Sequence, residues 1–423
     1  MDTRRQFIQK LFAGTVTGLL AQEGFSASGI AYPALFKPGG QDPDWEAIRS
    51  QFRLPEDHVY LNSATIGLMP TRVLDRIWES LIELQMGRYG SPPGLHDSIA
   101  KAFGCAPQEV AFTQNTTQGI NVVAQGLHLK RGDEIILTDQ EHAGNAIPWL
   151  ARAKRDGLCI RILSPEPDDD RNLENLEALV TKRTKVIALP HITCTTGQVL
   201  PIQAISEAFS ARVPYLFFDG AHGAGSLELN LKSMGCGFYS TCGHKWLCGP
   251  AGSGFLYVNE SLLSDLKPIF CGAGSEIGWE ASTQRQSLGN WKAGAERFEY
   301  GTQNKVVQAG FLAALDFQSE IGLRNISNRL RELNSLLRTK LQALEWLEIL
   351  TPSLSQQHVG ILTIRPKEAM RRPAFVEYMK SRSGFRVREV QESSLQAVRI
   401  STHIFNSEKD IENLSSYVSE WKP

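Results

Sequence analysis

The stretch STCGHKWLCGPAGSGFLYV, Ser240 to Val258, sets one lysine, Lys245, directly after Gly243-His244 and just ahead of a glycine-rich entry into an apolar run. Taken singly, a lysine on a loop belongs in water. A lysine held in a pocket has a second use, because its amine condenses with an aldehyde to form an imine. Which use applies depends on what the neighbouring strands deliver to the same place.

Working outward, short apolar runs rich in β-formers alternate with helical or polar stretches between Glu109 and Val258: EVAFT, DEIILTD, CIRIL, KVIALP, YLFFD and GSGFLYV. That alternation predicts an α/β domain with a mostly parallel sheet flanked by helices. Ligands of such sheets sit beyond the carboxyl ends of the strands, so the residues just after each run are the ones to read.

After EVAFT comes Gln114-Asn115-Thr116-Thr117, followed by the helical pattern GINVVAQGL. A hydroxyl-bearing turn at a helix N-terminus suits a phosphate, although either threonine could simply cap the helix. After DEIILTD comes Glu141-His142, after KVIALP come His191 and Thr193-Cys194, and after YLFFD comes Gly220-Ala221-His222. Polar residues past successive strands converge on one place. Asp219 ends the apolar run YLFF, where a carboxylate needs a positive or protonated partner. A pyridinium nitrogen would serve, and so would an arginine or a helix N-terminus. The ordered set of phosphate turn, histidine, terminal aspartate and lysine favours the covalent use of Lys245.

The rest of the chain bounds this reading. Its 423 residues, 42% hydrophobic, allow one large domain with a smaller companion. A formal charge of −1 and the lack of a basic, aromatic-interleaved stretch argue against a nucleic-acid partner. The seven cysteines are scattered without a CxxC pair, which indicates neither a zinc site nor a disulfide framework. No metal is expected. Residues 1–31 carry Arg4-Arg5, then Phe7, then an apolar stretch from Leu11 to Leu20, the order of a twin-arginine export signal. The stretch falls short of the ~20 apolar residues of a spanning helix, so no stable membrane span is expected after cleavage. Those features imply the Tat export machinery as a partner and a periplasmic destination.

These motifs together resemble the class V aminotransferase family of fold type I pyridoxal-phosphate enzymes, from about Val59 to Phe405. The carriers are YLNSATIGLMP, FTQNTTQGIN, DQEHAGNAIPW, HITCTTGQVLPI, FFDGAHGAGS, GHKWLCGPAGSGFLYV, YGTQN and VRISTHIFN. The isopenicillin N epimerase-like branch is the nearest in character. The resemblance implies pyridoxal 5'-phosphate as cofactor, held as an imine by Lys245. It implies that Asp219 pairs with the ring nitrogen, that His142 stacks on the ring, and that Thr193 and His222 lie near the phenolic oxygen. Thr116, Thr117 and His244 would hold the phosphate, and Thr302 would reach the phosphate of a partner subunit in a homodimer with shared sites. Arg399 would clamp a substrate carboxylate, with Asn62 in the element on the substrate side.

Two departures stand out. Cys242 occupies a position where the family often has serine. The region Ser383 to Ser401, SGFRVREVQESSLQAVRIS, lacks the nucleophilic cysteine that cysteine-desulfurating members carry before the VRIS-like strand. The expectation is an exported enzyme acting on an amino acid, or on an amino-acid moiety of a peptide natural product, through a Cα carbanion, of epimerase or aminotransferase type. The alternatives are a desulfurase-like C–S lyase and, in another class, a non-catalytic binding protein on the same fold. The corresponding division of the chain is a signal (1–31), a leader (32–58), a cofactor-binding large domain (59–305), a linking helical segment (306–344) broken near Gly322, and a small α+β domain (345–423).

Overall fold

A computed structural model describes residues 32–37, 40, 42–381 and 384–422. The twin-arginine segment, residues 1–31, lies outside the described residues.

A two-residue strand, β1 (Val59–Tyr60), precedes the main sheet. That sheet comprises β2 (Val110–Thr113), β3 (Glu134–Thr138), β4 (Cys159–Leu163), β5 (Thr184–Pro190), β6 (Tyr215–Asp219), β7 (Phe238–Cys242) and β8 (Gly254–Val258). Their order is β2-β8-β7-β6-β5-β3-β4. Only β8 runs against the others, pairing antiparallel with both β2 and β7, so the sheet is mostly parallel, as the alternating pattern predicts. Strand β7 was not among the expected runs. Its sequence FYSTC is buried throughout and shows no alternation. Its hydroxyls are satisfied by backbone carbonyls: Ser240 Oγ donates to Thr116 O at 2.9 Å and Thr241 Oγ1 to Gly220 O at 2.8 Å. Such satisfied hydroxyls tolerate burial.

Beyond β8, β9 (Glu276–Ala281) and β10 (Gln286–Trp291) form an antiparallel hairpin that exposes Ile277, Trp279 and Leu288. Helices Lys305–Ile321 and Leu323–Leu341 follow, separated by Gly322 at φ +87°. A positive φ there suits glycine alone, and the break falls where the sequence places it. The C-terminal part holds β11 (Leu347–Ile349), β12 (Ile361–Pro366), β13 (Phe385–Arg386), β14 (Arg388–Val390) and β15 (Ala397–Ser401). Four of these make an antiparallel sheet, β11-β12-β15-β14. The helices Arg372–Ser381 and Glu408–Glu420 contribute buried Phe375, Met379, Ile411 and Leu414 to the same apolar cluster as this sheet.

Two regions behave differently from the expected division. The stretch expected as a leader contains a short helix, Trp45–Ser50, capped by the Asp44 side chain, and it sends Leu35, Ile48 and Phe52 into the main core. A capped amphipathic turn with apolar residues on one face has surface to bury and does so. Strand β1 pairs in parallel with β13, and Asn62 bridges to Ser401. Residues 59–62 therefore run with the C-terminal sheet, and the segment that follows crosses to the main sheet beside Lys245.

Candidate active site

Strand tips and helix starts of the main sheet open on one cavity of about 270 Å³, lined by Thr116, Thr117, His142, Asp219, His222, His244, Lys245, Arg388 and Arg399 among others. Eight of the eleven expected site residues are brought together there.

Lys245 lies three residues beyond the end of β7, on the loop that returns the chain into β8. The loop is tied across its neck, with Gly243 N donating to Ser253 O and Gly249 N to Gly243 O, each at 2.8 Å. Gly67 N donates to His244 O at 2.7 Å, and a Cβ on Gly67 would stand 1.9 Å from Lys245 O. Glycine at 67 is thus required for the crossing segment to lie against this loop. Lys245 Nζ lies 3.4 Å from His222 Nε2. The Trp246 indole donates to His222 Nδ1 at 3.1 Å, which assigns the proton of the neutral imidazole to Nε2, the atom facing Lys245. Burial, then the Lys245 charge, pushes His222 well below the usual histidine range.

Asp219 sits at the tip of β6, 6% exposed, its Oδ1 accepting from Ala221 N at 2.9 Å. Burial raises its pKa, while that hydrogen bond and then the Lys245 charge oppose the rise. A carboxylate so placed gains from any further cationic group brought beside it. His142 caps helix Ala143–Asp156, its Nδ1 accepting from Gly144 N at 2.9 Å. Burial and then Lys245 lower it, so it faces the cavity as a neutral ring. Beside it, the Glu141 carboxylate accepts from Thr138 N at 3.1 Å and from Asn145 Nδ2 at 2.9 Å, and burial pushes it up to about 8.

Thr116 and Thr117 begin helix Thr116–Gly126, but neither caps it: Asn115 does, accepting from Gln118 N at 2.9 Å. The threonine hydroxyls are thereby left to the cavity. Thr116 Oγ1 and His244 Nδ1 are buried without a hydrogen-bond partner. Buried polar atoms are rarely left so, and the first-turn amides of a helix also lack internal partners. This orphaned polar wall fits a phosphate, while the neutral ring of His142 and the buried Asp219 fit a pyridine ring with a protonated nitrogen. Cys242 lines the same wall, its thiol raised by burial.

Three expected residues stand outside the lining. Thr193 is fully buried, and its hydroxyl is engaged within its own turn, with Thr196 Oγ1 at 2.8 Å and Gln198 N at 3.0 Å. Asn62 acts one step removed: its Oδ1 accepts from Thr65 Oγ1 at 2.8 Å, and Thr65 lines the cavity. Thr302 lies exposed in the turn before helix Lys305–Ile321.

Arg399, 2% exposed, donates from Nη1 to Cys194 O at 2.8 Å and from Nη2 to Thr65 Oγ1 at 2.9 Å, while its Nε is buried without a partner. Burial, then the neighbouring Arg388 charge, lowers it to about 10. Sequence reasoning missed Arg388. The run FRVREV contains it, but the signal lies in pairing: Arg388 is the direct antiparallel partner of Arg399. Among the described residues, no cluster of three or more His, Cys, Asp or Glu is placed to hold a metal.

The profile of the family described as aminotransferase class-V matches residues 94–414. An isopenicillin N epimerase from Amycolatopsis lactamdurans is 29% identical over 399 residues, covering 89% of this chain and 98% of the relative. A cysteine desulfurase from Serratia proteamaculans is 32% identical over 338 residues, covering 73% of this chain and 80% of the relative. Among solved structures, a C-DES mutant with glycine covalently linked to its PLP cofactor superposes with a TM-score of 0.78 at 26% identity, covering 90% of this chain and 100% of the other.

Proposed function

The chain belongs to the class-V aminotransferase family, and from that premise we propose an exported pyridoxal-phosphate enzyme that acts on an amino acid, or on an amino-acid moiety of a peptide natural product, by epimerase- or aminotransferase-type chemistry. The observation that carries this reading is the meeting of Lys245, Asp219, His142, His222 and Arg399 in one cavity. Pyridoxal phosphate, when bound, supplies an aldehyde for covalent capture of amines and a ring that withdraws electron density from Cα.

The protein's own groups do the rest. Lys245 would hold the cofactor, Asp219 would balance the protonated ring nitrogen, and His142 would pack on the ring as a neutral imidazole. Thr116, Thr117 and His244 would take the phosphate. Arg399 has three N–H groups left after serving Cys194 O and Thr65, enough to fix a substrate carboxylate in a forked contact. With the carboxylate fixed, Lys245 Nζ is the base available for a proton on the adjacent carbon, and His222 Nε2 at 3.4 Å keeps it oriented.

A second reading, a C–S lyase, draws on the desulfurase relatives. The absence of cysteine between Gly384 and Ser401 disfavours the persulfide-forming route. Export rests on Arg4, Arg5 and the Leu11–Leu20 run, and with it the periplasmic location. The homodimer rests on the family resemblance at Thr302 in YGTQN, and individually exposed Trp78, Met86, Tyr89, Phe270 and Trp279 leave apolar surface that a second copy could cover. In that dimer Thr302 would serve the partner's phosphate.

The test is incubation in D2O with candidate amino acids. Holoenzyme should show a visible absorption band, lost in Lys245→Ala, and should return amino acid deuterated at Cα or its keto acid. Sulfide released from L-cysteine, with no deuterated amino acid recovered from any candidate, would hand the function to the lyase reading.

A further inference from the structure

Resting on that reading, we propose that Trp246 is a positioning residue: its indole N–H holds His222 in one tautomer, which makes His222 a fixed hydrogen-bond donor toward Lys245 and bars it from serving as a base.

An indole N–H can only donate. It meets His222 Nδ1 at 3.1 Å, so that nitrogen keeps its lone pair and the one proton of the neutral ring sits on Nε2. Nε2 in turn lies 3.4 Å from Lys245 Nζ. A donor there can hydrogen-bond Lys245 only while Nζ carries a lone pair, the form that attacks an aldehyde or takes a proton. The opposite tautomer would accept from a lysine ammonium and favour the unreactive form. His222 cannot take a second proton without loss either, because a proton on Nδ1 would face the indole proton. Of the two neighbouring nitrogens, Lys245 Nζ is therefore the one that moves protons.

Trp246 is held in place by parts of the chain remote from the lysine loop. It is fully buried, and its carbonyl accepts from Gln318 Nε2 at 2.9 Å and lies 3.0 Å from His403 Nε2. His403 is fixed by the same logic: Ile404 N donates to its Nδ1 at 2.8 Å, which leaves the proton on Nε2 for the Trp246 carbonyl. The His403 ring also stacks on the indole, with centroids 5.6 Å apart and planes at 21°. A Cβ on Gly360 would stand 2.7 Å from the indole ring, so glycine is what leaves room for it there. Phenylalanine would fill much of this space, and what the indole adds is the N–H.

The other ionisable groups around the pair are Asp219 on β6, Cys194 past β5, Cys242 at the end of β7, His142 and His244 on the cavity wall, and Arg388 and Arg399 on the small sheet. Trp246→Phe leaves all of them in place, and a His222→Asn background isolates the route through the imidazole.

Two measurements test the proposal. Nitrogen-15 NMR of the full chain with labelled histidine and without cofactor should show His222, assigned by its loss in His222→Asn, as the neutral Nε2–H tautomer at pH 7. In Trp246→Phe the Nδ1–H tautomer should become at least equally populated. The rate at which the same proteins capture pyridoxal phosphate, followed by the visible band, should reach half its maximum about one pH unit higher in Trp246→Phe than in the wild type, the worth of one hydrogen bond. Adding Trp246→Phe to His222→Asn should produce no further shift. A wild-type His222 found as the Nδ1–H tautomer or as the imidazolium overturns the proposal whether or not any variant folds. An unchanged tautomer in Trp246→Phe, an unmoved capture profile, or the same shift in the His222→Asn background overturns it as well. Absence of a visible band in the wild type loaded with pyridoxal phosphate would instead overturn the reading beneath it, while the tautomer measurement still decides the role of Trp246.

Discussion

The wall of the cavity made by β6, β7 and the helices Thr116–Gly126 and Ala143–Asp156 presents residues at a strand tip, up to three positions past one, or at a helix start. The wall made by β14, β15 and the crossing segment around Thr65 is assembled from two distant parts of the chain. The first wall holds Lys245, Asp219, His142 and His222, the groups to which the proposed function gives the chemistry. The second holds two arginines whose use depends on which residues face each other across antiparallel strands. Placing a reactive group at a strand tip needs only local chain geometry, whereas pairing two guanidiniums needs the register of a sheet built from the last part of the chain.

The hardest blow to the comparison falls on the first wall. Asp219→Asn keeps the shape but removes the charge that balances a cationic ring nitrogen, and the rate of Cα deuterium exchange should drop by about a hundredfold to a thousandfold. A drop below about threefold would mean that this wall does not carry the chemistry.

Next in size is the seam between the walls. Gly67→Ala drives a Cβ into Lys245 O, so the crossing segment and the lysine loop must part. Urea unfolding should show a loss of about 1–3 kcal/mol, with a displaced absorption maximum of the bound cofactor. An unaltered midpoint and spectrum would show that the two walls are not mechanically joined there.

The smallest effect measures how dry the first wall is. His191, 5% exposed, has its N–H on Asp219 O at 2.8 Å and its Nδ1 3.0 Å from Tyr239 Oη. Burial depresses it to about 3, so as pH falls from about 6.5 the unfolded chain takes up a proton that the folded one refuses. Its contribution is intact above about pH 6.5 and is lost on acidification at up to about 1.4 kcal/mol per pH unit. His191→Gln should therefore narrow the stability gap between pH 7 and pH 5 by up to about 2 kcal/mol in urea titrations. The same gap in both proteins would mean that water reaches this histidine.

The main sheet, the break at Gly322 and eight residues of the cavity lining were legible in the sequence because each leaves a local mark: an apolar run, a glycine, a polar residue at the end of a strand. Strand β7 left none, since a strand buried on both faces does not alternate and FYSTC reads as polar until its hydroxyls are seen on backbone carbonyls. Thr193 is the converse case: it stands past β5 as the others stand past their strands, but outside the cavity lining, with its hydroxyl engaged in its own turn. The hairpin β9–β10, whose sequence carried no reading, is an exposed antiparallel pair.

What the sequence by itself determined is the order of chemical groups along the chain and their phase relative to strands and helices, because both follow from periodicity and short-range sterics. Only the tertiary structure decided that Arg388 faces Arg399, that β1 runs with β13, and that Gly67 lies on the carbonyl of Lys245. The first is a matter of strand register, and the other two join residues more than a hundred positions apart; both kinds are selected by how whole surfaces pack, and no local pattern encodes that choice.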